Sequence, residues 1–100
     1  MAGKLIITWD ILPEREQEYF EFVVREFLPA VQKLGFKLSD AWVTVYGDYP
    51  QILVGAVLPT ITRVAETIKS QKWKSLENKL FDYISDYELK IVEARSSFQF

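Results

Sequence analysis

The sequence predicts one small α+β domain of element order β-α-β-β-α-α-β, an antiparallel sheet with its helices on one face. Three observations predict it. Four runs carry the two-residue alternation of strands, and three carry the three-and-four spacing of helices. The most apolar strand-like run, residues 51–58, is apolar on both of its faces. A length of 100 residues is one domain's worth, so residues 1–100 are read as a single unit.

The first strand is residues 4–11. Leu5, Ile7, Trp9 and Ile11 share one face, and Ile6, Thr8 and Asp10 the other. Pro13 suits the first turn of a helix, where a missing N–H has no partner to lose. Glu14, Glu16 and Glu18 follow at the helix end whose dipole favours negative charge. Phe20, Val23, Val24, Phe27, Leu28, Val31 and Leu34 form a wide apolar stripe. Lys33 stands in the last turn and Gly35 just past it. Pro29, inside this helix, removes a backbone hydrogen bond and predicts a kink.

Residues 36–46 read as the second strand. Gly47-Asp48-Tyr49-Pro50 is turn chemistry, and residues 51–58 complete a hairpin. Pro59-Thr60 opens the second helix, with Thr60 as N-cap and Ile61, Val64, Ala65 and Ile68 as its stripe. Ser70 caps a third helix carrying Trp73, Leu76, Leu80, Phe81 and Ile84. Residues 88–95 are the last strand, and residues 96–100 form a tail.

The strand at 51–58 also predicts a partner. Ile52, Val54, Ala56 and Leu58 point one way, and Leu53, Gly55 and Val57 the other. Three helices cover one face of such a sheet. The other face would leave an apolar patch of several hundred Å², more than monomers ordinarily expose. A second copy packed sheet to sheet removes it, so a two-fold homodimer is expected. Phe98 and Phe100 alternate around Gln99 at the chain end; they either fray or dock on that partner.

Composition excludes several chemistries. With no Cys there is no thiolate nucleophile or thiolate metal site, and with no His no imidazole ligand or base. The net charge of −2, with Lys and Arg scattered, provides no footprint for nucleic acid. No apolar run approaches the roughly 20 residues that span a bilayer. Met1-Ala2-Gly3-Lys4 leads straight into a strand without the apolar stretch of a signal peptide, so the cytoplasm is the expected location.

Element order, length and the two-faced sheet resemble the ferredoxin-like, dimeric α/β-barrel superfamily. That group includes antibiotic-biosynthesis-type monooxygenases, haem-degrading monooxygenases and many uncharacterised small proteins. The most motif-like stretch is Val64-Ala65-Glu66-Thr67-Ile68-Lys69-Ser70-Gln71-Lys72-Trp73-Lys74. It is similar to the family's helix pair, where an apolar-Lys-Ser step precedes an aromatic-Lys step. The haem-degrading branch implies a Trp near Thr67, a haem-ligating His near Glu77 and an Asn near Trp9. This sequence has none of the three, so neither haem nor any other cofactor is expected.

Aromatic residues make up 15% of the chain, enough to line a pocket or to fill a core and an interface. Trp9, Trp42, Tyr46 and Trp73 are the pocket candidates for a planar or apolar ligand. Asp10, Asn78 and Arg95 are secondary candidates. For each a plainer role competes: a helix-start hydrogen bond for Asp10, a solvated helix face for Asn78, an ion pair for Arg95. Glu14, Glu16 and Glu18 do not converge on one helix face, so no metal site is expected. The expected function is that of a small homodimer binding an apolar or aromatic ligand. The alternative is a cofactor-independent monooxygenase acting on an aromatic or polyketide-like substrate. An amino-acid-sensing domain is a third class, disfavoured because Asp10-Ile11-Leu12-Pro13 lacks that class's glycine.

Overall fold

The structure, a computed structural model, describes residues 2–43 and 51–94. β1 (Ala2–Ile11) and β3 (Ile52–Leu58) are the central strands of a four-stranded antiparallel sheet. β2 (Lys37–Val43) and β4 (Ile84–Ala94) are its edges, in the order β2-β3-β1-β4. The first helical run is α1 (Glu16–Phe22), a π-helical turn (Val23–Phe27) and α2 (Leu28–Lys33). α3 (Ile61–Ile68) and α4 (Gln71–Leu80) complete the layer. The order β-α-β-β-α-α-β is the predicted one.

The strand pleat decides where the core lies. Leu5, Ile7 and Trp9 of β1 pair with Ala56, Val54 and Ile52 of β3, and all six are buried. Tyr19, Phe22, Phe27, Val31, Val64, Trp73 and Leu80 from the helices close over that face. On the opposite face Ile6, Leu53 and Val57 are half-buried, while Glu88 and Lys90 of β4 are exposed. The two-faced apolarity expected of the sheet is present on its central strands, and β4 adds a charged margin.

Three local features differ from the sequence expectation, each for a stated physical reason. The helix starts at Glu16 rather than at Pro13. Leu12-Pro13-Glu14-Arg15 is a turn closed by the Arg15 N–H on the Leu12 carbonyl at 3.2 Å. Glu14 takes the left-handed φ of 69° that position i+2 of a type II turn demands. Second, the disruption expected at Pro29 appears one turn earlier. The Leu28 N–H donates to the carbonyl of Val23, a five-residue step, and Pro29 stands in the first turn of α2, where no N–H is needed. The widened turn is the break in the regular ladder that Pro29 led one to expect, displaced to Val23–Phe27.

Third, β4 begins at Ile84, four residues before the predicted start. Thr8 pairs with Glu88 and Asp10 with Ser85, so Asp86 and Tyr87 together oppose Trp9. This bulge breaks the two-residue alternation and hides residues 84–87 from it. Asp86 adopts a φ of 53°, a conformation Asp tolerates better than most residues. Phe81 and Ile84, expected on the third helix, lie beyond α4, at its C-cap and in β4 respectively. The predicted caps Thr60 and Ser70 do accept from the N–H groups of Arg63 and Trp73. The 47–50 turn and the 96–100 tail lie outside the described residues.

Candidate functional site

Two backbone irregularities shape a cavity of about 280 Å³ between the first helical run and the β2–β3 side of the sheet. The π turn contributes Val23 and Val24 from consecutive positions. On β2, Leu38 pairs with Ala56 and Asp40 with Gly55, so Ser39 is an extra residue. That insertion lets Leu38 and Ala41, three positions apart, both line the cavity. Trp9, Tyr19, Phe20, Leu28, Ile52 and Val54 also line it. π turns are rare and recur at functional sites, because the extra residue re-aims side chains that a regular helix would hold apart.

The wall is apolar except for two groups. The Trp9 indole N–H donates to the Tyr19 hydroxyl oxygen at 2.9 Å, and both side chains are buried. Burial pushes the Tyr19 phenol above its ordinary pKa of 10.0, and the Trp9 hydrogen bond partly offsets that. Behind the wall, Trp9 stacks on Tyr87 at 6.4 Å between centroids and meets the edge of Phe27 at 5.9 Å. The Tyr87 hydroxyl donates to Oε2 of Glu77 at 2.7 Å. Burial first, and then the Glu77 carboxylate beside it, drive the Tyr87 pKa far upward.

These two phenols make stability pH-dependent. In the unfolded chain each releases its proton near pH 10, while in the folded chain it keeps it. Folding therefore holds more protons above pH 10. The stability they contribute is intact below that pH and is lost progressively as pH rises from there through their raised folded-state pKa values. The melting temperature should fall steeply above pH 10, and the Tyr87→Phe variant should show a shallower fall. A wild-type curve that is flat between pH 9 and 11 would refute the assignment.

The structure distributes the sequence candidates unevenly. Trp9 forms part of the cavity wall. Trp73 is fully buried on the far side of Phe27, between Phe27 at 6.3 Å and Phe36 at 6.0 Å, and does not line the cavity. Its indole N–H has no partner among the described residues. Trp42 is placed by its backbone register alone, opposite Leu53. Tyr46 and Arg95 lie outside the described residues. Asp10 accepts the Gln51 N–H at 2.9 Å, while the Gln51 side-chain oxygen accepts the Ile11 N–H at 2.7 Å. This reciprocal clamp joins the end of β1 to the start of β3, in place of the expected helix-start bond. Asn78 is exposed on α4.

Phe20, Val23 and Val24 were legible only as parts of an apolar helix stripe, and Tyr19 was not singled out. A stripe drawn through Tyr19 and Val23, four apart, would have marked the cavity side. A second concavity of about 390 Å³ lies between α2 and α4, floored by Ala30, Leu34 and Leu76 and rimmed by exposed Lys33, Lys72 and Lys79. It is a solvated trough without a buried polar group. No cluster of acidic side chains suited to a metal ion occurs among the described residues. Nor is any helix among them long and apolar enough to cross a membrane.

No protein-family model matches the chain, and no curated protein matches it. Solved structures do. A NIPSNAP family protein from Agrobacterium tumefaciens superposes with a TM-score of 0.71 at 21% identity, covering 95% of this chain and 87% of that one. A protein from Nitrosomonas europaea, provisionally named an antibiotic biosynthesis monooxygenase, gives 0.68 at 10% identity, over 95% and 91%. A dimeric protein of unknown function and ferredoxin-like fold from Bacteroides fragilis gives 0.64 at 13% identity, over 93% and 96%. At such identities the likeness speaks to fold and not to activity: the chain has a ferredoxin-like α+β fold, with an open four-stranded antiparallel sheet.

Proposed function

We propose that this chain binds one small, largely apolar or aromatic molecule in the cavity under its first helical run, and does so as a homodimer joined through the helix-free sheet face. The observation that carries the ligand reading is the cavity wall itself. It is apolar apart from the Trp9–Tyr19 pair, and a π turn and a bulge are both spent on shaping it. Concave, apolar sites with few polar groups are the usual form of small-molecule sites. Phe20 and Val24, 51% and 65% exposed, stand at its rim as an apolar approach.

The dimer reading is supported by Ile6, Leu53 and Val57 on the uncovered face and by the likeness to the dimeric B. fragilis protein. Sedimentation at micromolar concentration should give a dimer, and a stable monomer would contradict it. For the ligand, titration with naphthalene should change tryptophan emission saturably, with one site per chain. Val24→Trp places bulk at the rim, at an exposed position, and should weaken that binding at least tenfold. Unsaturable binding, or binding indifferent to Val24→Trp, would sink the reading.

A cofactor-independent monooxygenase is the second reading, favoured by the likeness to the N. europaea protein. It would hold an electron-rich aromatic substrate in the same cavity and consume O₂. Oxygen-electrode measurements with dihydroxynaphthalenes separate it from simple binding.

A further inference from the structure

Among the described residues, the side chains of the cavity wall hold two polar hydrogens and one acceptor oxygen. The Trp9 N–H is spent on the Tyr19 oxygen at 2.9 Å. The Tyr19 hydroxyl keeps its own proton, and no other described side chain of the wall offers it an acceptor. Every other side chain of the wall is hydrocarbon. Tyr19 is 2% exposed and lines the cavity, so a partner for that proton has to come from within the cavity. A buried donor left unpaired is costly, and native structures seldom leave one without a use. Burial keeps the phenol protonated well past neutrality, so it remains a donor across the physiological range. The indole bond also restrains the phenol, which reduces what its orientation costs on binding.

We propose that the ligand of this cavity is an oxygenated apolar molecule, such as an aromatic ketone or quinone. The Tyr19 hydroxyl, held by Trp9, donates to its acceptor oxygen. This rests on the cavity reading and sharpens it, making Tyr19 the residue that sets specificity between oxygenated ligands and plain hydrocarbons. Sites that hydrogen-bond a ligand group discriminate strongly against the analogue lacking it, because the site's own polar group is then left unpaired.

The test compares 1-tetralone with tetralin, which share a bicyclic skeleton and differ by one carbonyl. Calorimetric affinities of both are measured on the wild type and on Tyr19→Phe. The wild type should bind the ketone at least as tightly as the hydrocarbon, despite the ketone's stronger hydration. In Tyr19→Phe the ketone-to-hydrocarbon preference should fall about five- to tenfold, the worth of one neutral hydrogen bond. The ratio is insensitive to any loosening of the fold that weakens both ligands alike. The carbonyl stretch of bound tetralone should also lie lower in the wild type than in the variant. An unchanged ratio and stretch would overturn the Tyr19 assignment and leave the cavity reading standing. Failure of the wild type to bind either compound would overturn the cavity reading, and this inference with it.

Discussion

Replacing Trp9 by alanine should destabilise the protein by about 3–5 kcal/mol, the range for removing a large buried aromatic. That corresponds to a drop in melting temperature of well over ~10 °C for a chain of this size. The side chain has no exposed surface. It contacts Tyr19, Phe27 and Tyr87, and so joins the first helical run to the β4 bulge. Its loss would merge the cavity with an empty space in the core and orphan the Tyr19 hydroxyl. Trp9→Phe is the informative control. It keeps most of the hydrocarbon and removes only the N–H, so a smaller loss is expected. A double-mutant cycle with Tyr19→Phe should return a coupling of about 1 kcal/mol, the value of one neutral hydrogen bond. Thermal denaturation of the four proteins gives the answer. A Trp9→Ala variant within 1 °C of wild type would mean that this packing is not what holds the domain together.

The same residue marks how far sequence reasoning reaches. Its place on the apolar face of β1 followed from alternation alone, the helix stripe from three-and-four spacing, and the caps at Thr60 and Ser70 from residue type. What alternation could not show were the places where one residue is added to a regular element. Ser39 on β2, the pair Asp86–Tyr87 on β4 and the turn at Val23–Phe27 are all of this kind. Each shifts the phase of a pattern without any unusual residue to announce it. Pro29 came nearest to a signal, since a proline within a helical stripe must be accommodated somewhere. It is accommodated upstream, as a widened turn flanked by Phe27 and Val31, both buried in the core.

Those insertions account for the partial legibility of the site. A cavity formed where regular elements are locally mis-phased is lined by residues that no single periodicity groups together. Aromatic content pointed to Trp9 and equally to Trp73. The structure separates them: Trp9 has a polar partner and faces the cavity wall, whereas Trp73 lies among Phe27 and Phe36 in the core. Tyr19, which supplies the wall's second polar group, passed as one more helical residue. Its significance comes from a hydrogen bond to a residue ten positions away on a different element.

Gly3→Ala should be nearly as damaging as the loss of a core side chain, although it adds only one methyl group. β1 passes so close to the start of α3 that a Cβ at Gly3 would lie 2.6 Å from the Ile61 Cα and 2.9 Å from the Ile61 nitrogen. The Val64 Cγ2 would be 2.8 Å away. A flexible side-chain tip can turn aside, but two backbone atoms cannot, so the whole first turn of α3 must move. Overpacking of this kind costs about 1–3 kcal/mol, and contacts with backbone place this case at the upper end. Gly35→Ala offers a contrast with a different cause. There the nearest atom to a new Cβ is the Leu58 Cδ2 at an unstrained 3.4 Å, but φ is 102°. Its cost is conformational and should be about 1 kcal/mol. The two mechanisms part under a second substitution. Trimming Val64 to alanine on the Gly3→Ala background relieves one of the three close contacts and leaves both backbone ones. The double variant should therefore regain little of the lost melting temperature. Full recovery would show that the side chain, and not the α3 backbone, sets the requirement for glycine at position 3.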